Sequence, residues 1–258
     1  MNTQNSRSWT LRFRIFGIPV QILPVSWVVL ALLGGAMRVN DAGSLANVLL
    51  FVLAGMLCLL VHEFGHALVG RRAGAVVAGV EIAGMGGTTS FATLPPHRSG
   101  YFLMTLAGPL ASLLLGALLG LCFGLQLGNV WAGLRYAFLM PWQDTLPLDL
   151  QQQLVLGIYQ HELPPMLLQA YSTGILICFW WSVFNLLPLF PLDGGRLLGS
   201  VLNNYLVPCV LGLVGSAALA LWALLVGQWF NVMILGYLAY INWQYFRVLR
   251  NRKTQFRS

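Results

Sequence analysis

Charge is what this sequence has least of. Of its 258 residues only 8% are Asp, Glu, Lys or Arg, against 58% hydrophobic ones, and the mean hydropathy is +0.75. An ordinary soluble domain carries about 25% charged residues, so this balance points to a polytopic membrane protein. Cysteine is nearly as sparse: Cys58, Cys122, Cys178 and Cys209 all fall inside apolar runs, and no disulfide framework is implied. A basic patch or reading module is missing too. The net charge is +7, but the basic residues stand at the ends of apolar runs, where they report orientation in a bilayer, so no nucleic-acid partner is expected. Neither an internal repeat nor a low-complexity segment is evident, and no small-residue cleavage site follows the basic start. The expectation is a single membrane-embedded domain over residues 1–258.

The apolar runs predict an all-α polytopic fold with six transmembrane helices, at about 18–37, 45–69, 101–127, 171–192, 206–226 and 229–248. Each meets the roughly 20 residues a bilayer core requires, although Pro19 and Pro24 interrupt the start of the first. Before it, residues 1–17 carry Arg7, Arg12 and Arg14 and read as an interfacial entry segment. Between the second and third runs, Ala75 to Ile82 and Gly84 to Thr89 are small, β-branched or glycine residues. That pattern predicts a short membrane-associated β-hairpin or loop after the second helix. Residues 128–170, with Asp144, Asp149 and Glu162, are more polar and read as a partly helical lid on the membrane surface.

With the N-terminus in the cytoplasm, only Arg38 and Arg135 of the 14 basic residues lie outside. The positive-inside rule then places both termini in the cytoplasm. For so compact a chain the expected location is a prokaryotic cytoplasmic membrane.

Within the second run stands His62-Glu63-Phe64-Gly65-His66. On a helix His62 and His66 share one face one turn apart, so two imidazoles can hold one metal ion, with Glu63 beside it as general base. Ionisable groups at this depth are costly and point to function. At about 1.5 Å per residue, His66 lies roughly 8 Å and His62 roughly 14 Å from the Arg71 end. A hydrolytic zinc site takes three protein ligands and leaves one position open. The best third candidate is Asp193, in Asn185-Leu186-Leu187-Pro188-Leu189-Phe190-Pro191-Leu192-Asp193-Gly194-Gly195, near the end of the fourth span and at comparable depth. Pro188 and Pro191 break the helical ladder there, and Gly194-Gly195 are expected to loosen it further. Cys58, one turn before His62, reads as a small buried hydrophobe, and His97 and His161 as surface residues.

These residues resemble the site-2 protease family of intramembrane zinc metallopeptidases. His62, Glu63 and His66 match its first motif, and Asn185, Pro188, Leu192, Asp193 and Gly194 match its second. Phe190 and Pro191 stand one residue out of the family's proline pattern, and Ser112, after Ala107-Gly108-Pro109, stands where many members have Asn. The resemblance covers about 50–200 and looks like a minimal core form without a PDZ or CBS domain. It implies one Zn²⁺ per chain on His62, His66 and Asp193, with Glu63 as catalytic base. Gly86 and Gly87 resemble the family's β region that pairs with an unwound substrate, and Asn185 is placed to hold the substrate backbone. The implied activity is hydrolysis within or next to transmembrane segments of single-span membrane proteins, in regulated proteolysis or signal-peptide clearance. Two alternatives come from other classes. A divalent-metal transporter or channel needs polar residues stepping across the bilayer, and a catalytically silent membrane-protein-binding relative has no need of Glu63.

Overall fold

The computed structural model describes residues 9–149, 151–152 and 163–255. Arg7, His161, Glu162 and Arg257 lie outside the described residues.

The described residues begin with a hairpin, β1 (Leu11–Ile15) in the expected interfacial segment and β2 (Ile18–Ile22) where the first transmembrane helix was expected to start. Alternation explains it. Ile18, Val20 and Ile22 are buried while Pro19 and Gln21 face the other way, a period of two that no helix satisfies. Pro24 then occupies the first turn of α1 (Pro24–Leu33), a position that needs no N–H, and Gly35 follows in the left-handed region at φ 91°. The run at 18–37 is therefore a strand and a ten-residue helix about 15 Å long, half a bilayer core.

Helix α2 (Ala42–Arg72) starts at a reciprocal cap in which Asp41 accepts from the Ser44 N–H at 2.6 Å and Ser44 Oγ accepts from the Asp41 N–H at 3.1 Å. It runs into β3 (Val76–Ala83) and β4 (Gly86–Thr93), the expected hairpin. These strands join the first two in one sheet of order β1-β2-β3-β4, parallel between β2 and β3 and antiparallel elsewhere. Val20, Ile22, Val80 and Ile82 pack with Val52, Met56, Leu59 and Phe64 of α2 into one apolar core. At the sheet's end the Ile82 carbonyl accepts both the Leu23 N–H and the Ser26 hydroxyl at 3.0 Å.

Helices α3 (Arg98–Gln126) and α4 (Val130–Leu139) follow. Of the expected lid, α4 and a 3₁₀ turn at Met140–Thr145 are seen among the described residues. Helix α5 (Pro165–Asn185) stops at Asn185, short of the expected 192, because Pro188 and Pro191 cannot continue the ladder. After a loop containing a cis Phe190–Pro191 bond come α6 (Asp193–Val201), α7 (Leu206–Leu225) and α8 (Trp229–Gln255). Among the described residues four helices, α2, α3, α5 and α7, are long and apolar enough to cross a membrane, against the six expected. The mostly helical class holds, with a four-stranded sheet added to it.

Candidate metal centre

Helix α2 carries His62 and His66 on its buried face, and α3 packs so closely that a Cβ at Gly65 would overlap the Ala107 carbonyl and one at Gly108 the His66 imidazole. That closeness sets the second bond of each histidine. His66 Nδ1 lies 2.8 Å from the Met104 carbonyl, which only accepts, so this nitrogen carries a proton. His62 Nδ1 lies 3.1 Å from Ser112 Oγ, whose own proton points to the Gly108 carbonyl at 3.3 Å. The two Nδ1–H donors leave both Nε2 lone pairs facing inward.

The third group arrives from α6. Asp193 is the first residue of that helix, not the end of the preceding one, and its Oδ2 stands 3.1 Å from each Nε2, which are themselves 3.2 Å apart. Gly194 and Gly195 do not loosen this turn. A Cβ at either would overlap loop carbonyls at Leu186, Leu187 or Leu189, so the glycines let the helix start press against the loop. Arg196 Nη1 lies 3.9 Å from the other Asp193 oxygen, Oδ1.

Three buried acceptor atoms facing one another repel unless a cation joins them. Zinc bonds of 2.0–2.1 Å at tetrahedral angles put donor atoms about 3.3 Å apart, close to the observed 3.1–3.2 Å. These residues fit a divalent metal by donor type, burial and spacing. No other group of three His, Cys, Asp or Glu among the described residues does so, and Cys58 is buried outside this cluster.

Glu63 lies beside the triad, held by β4 rather than by its own helix. The Thr89 hydroxyl points to Glu63 Oε2 at 2.7 Å and to the Glu63 carbonyl at 2.9 Å, and a Cβ at Gly87 would come 2.6 Å from Oε1. The expected glycine pair thus divides: Gly87 makes room for the carboxylate, while Gly86 faces open space. Asn185, buried at the end of α5, gives its amide N–H to the Trp181 carbonyl at 2.9 Å. All of these line one cavity of about 740 Å³, with α8 contributing Ile234, Tyr237, Leu238 and Ile241. An almost wholly apolar cavity of about 360 Å³ adjoins it, sharing Met85, Trp181 and Phe184. Exposed His97 stands just before α3, where its side chain makes no capping hydrogen bond, and it does not line the cavity.

Sequence reasoning missed Thr89, and it noted Ser112 only as a departure from a pattern. The signal for Thr89 was its place two residues after Gly87, on the same strand face. Thr89→Val, which keeps the shape and removes the hydroxyl, is expected to lower turnover about 10–100-fold, from the 1.5–3 kcal/mol worth of a hydrogen bond to a charged group. Metal content measured alongside should stay at the wild-type level. Loss of metal would mean that Thr89 supports the fold rather than Glu63.

A model of peptidase family M50 matches residues 50–208. Among curated relatives, Rip3 of Mycobacterium tuberculosis is 30% identical over 205 residues, covering 76% of this chain and 44% of that one. Zinc metalloprotease MJ0392 of Methanocaldococcus jannaschii is 25% identical over 192 residues, 74% of this chain and 45% of that one. The chain thus spans somewhat under half the length of these relatives. The solved structure of a site-2 protease from Methanocaldococcus jannaschii has the same fold, with a TM-score of 0.57 at 20% identity over 92% of this chain and 94% of that one.

Proposed function

This chain belongs to peptidase family M50, and we propose that it is a zinc-dependent intramembrane protease. It hydrolyses peptide bonds within or next to the transmembrane segments of single-span membrane proteins. The observation that carries the reading is the convergence of two Nε2 atoms and one carboxylate oxygen at 3.1–3.2 Å in the wall of a cavity that Glu63 shares.

His62, His66 and Asp193 would hold the ion. A bound zinc supplies a Lewis acid that polarises a carbonyl and lowers the pKa of water toward about 7. Glu63, aimed by Thr89, takes the proton of the attacking water and passes it to the leaving nitrogen. A transmembrane helix hides its carbonyls in its own hydrogen bonds and must unwind before cleavage. β4 is an edge strand whose Gly86 to Thr89 stretch lines the cavity, which suits it to pair with the unwound segment by strand addition. Gly86, where no side chain intrudes, and Asn185 flank that path, and the adjoining apolar cavity suits the side chains of a membrane segment. The four apolar helices and the basic residues at the run ends support a bilayer location with cytoplasmic termini.

The test is zinc content by elemental analysis of the detergent-purified protein, wild type against Asp193→Ala. The expected result is about one zinc per chain in the wild type, with the ion lost or sharply depleted in the variant, since a hydrolytic site takes three protein ligands. Full zinc retention by folded Asp193→Ala would sink the three-ligand reading.

A further inference from the structure

The loop that delivers Asp193 is held from the last helix by one side chain that the chemistry above does not use. Asn242, midway along α8, is fully buried. Its Nδ2 donates to the Phe190 carbonyl at 2.7 Å and to the Leu238 carbonyl at 2.8 Å, while its Oδ1 accepts the Phe190 N–H at 3.2 Å. The amide therefore satisfies both polar groups of Phe190, as a neighbouring strand would. Burying an amide in an apolar helix pair is costly unless it is satisfied, and α7 makes room for it: a Cβ at Gly212 would overlap the Asn242 amide. The Phe190 ring rests on Tyr245, one turn further along α8, with centroids 5.2 Å apart.

The clamped residue bears directly on the metal ligand. Gly195, in the first turn of α6, lies so close to the Leu189 carbonyl and the Phe190 nitrogen that a Cβ would approach the latter to 2.9 Å. The turn that aims Asp193 leans on the peptide that Asn242 holds. Loop positions without such an anchor drift, and a carboxylate displaced by a few tenths of an ångström loses the spacing that suits a tetrahedral ion.

We propose that Asn242 is a positioning residue for the metal centre, acting through Phe190 and the first turn of α6 to fix Asp193 Oδ2 against the two histidines. The proposal rests on the reading of Asp193 as a zinc ligand. Asn242 does not touch the ion. It belongs to the class of outer groups whose loss typically weakens metal binding about 10–100-fold.

A double-mutant cycle on full-length protein in detergent tests it. Zinc affinity is measured by chelator competition, and the cobalt(II) absorption spectrum is recorded, for wild type, Asp193→Ala, Asn242→Ala and the double variant. The expected result is an Asn242→Ala affinity about 10–100-fold below wild type, with an altered cobalt spectrum, and a loss of under about 2-fold when Asp193 is already Ala. Equal weakening in both backgrounds would overturn the proposal, since it would mean a general loosening of the helix pair. So would an unchanged affinity in Asn242→Ala. If Asp193→Ala alone binds zinc as wild type does, the underlying ligand assignment fails, which is a separate and recognisable result. Should Asn242→Ala not fold, Asn242→Asp keeps the shape and the acceptor and removes the Nδ2 donor. The same non-additivity is expected of it, and additive loss would overturn the proposal.

Discussion

Glu63→Gln is expected to lower cleavage of a single-span membrane reporter by about 10²–10⁴-fold, the usual worth of a general base, with zinc content unchanged. Glutamine has the same length, and its side-chain oxygen can still accept the Thr89 hydroxyl that now reaches Glu63 Oε2 at 2.7 Å. The notch left by Gly87 accommodates it equally well. Only the ability to take a proton disappears. Cleavage assays and elemental analysis on the same preparation separate the outcomes. Wild-type turnover by Glu63→Gln would show that another group moves the proton, whereas loss of zinc would show that the carboxylate charge helps retain the ion.

Gly108→Ala should be nearly as damaging by a different route. A Cβ there would overlap three atoms of the His66 imidazole, with nowhere obvious for the ring to go. Its Nδ1 is engaged with the Met104 carbonyl at 2.8 Å and its Nε2 faces Asp193 at 3.1 Å. Either the ring turns out of the triad or α3 moves off α2. In both cases zinc affinity is expected to fall by about 10–100-fold, the scale for losing groups that orient a ligand, with about 1–3 kcal/mol of overpacking strain. Chelator competition together with thermal melting would check this. A variant that binds zinc normally would mean that the two helices separate more easily than their packing implies.

The site was legible in the sequence where its chemistry is local or its residue types are costly in lipid. His62, Glu63 and His66 lie within five residues on one helix, and Asp193 stood out as a carboxylate beside an apolar run at a matching depth. What failed was structure that mean hydropathy cannot distinguish. Ile18, Val20 and Ile22 count as apolar in either a helix or a strand; only their alternation with Pro19 and Gln21 separates the two. Gly194 and Gly195 were read as breaks because glycine destabilises an isolated helix, but here they are where a helix start meets a loop. Thr89 and Asn242 act across 26 and 52 residues of sequence, and pairings of that range leave no local pattern. A buried asparagine in the final apolar run was the available signal, since polar groups in such runs need a partner.

Residues 62 and 193 are 131 positions apart, whereas Glu63 and Thr89 belong to one uninterrupted stretch from α2 to β4. At roughly 5–20 residues per second of synthesis, Glu63 and its partner Thr89 exist about 5–21 s before Asp193 is made. Until then the two Nε2 atoms of α2 lack the carboxylate that stands 3.1 Å from each of them in the folded chain. The three groups that face one another are therefore complete only once Asp193 and α6 have been made, well after Glu63 and Thr89 can meet.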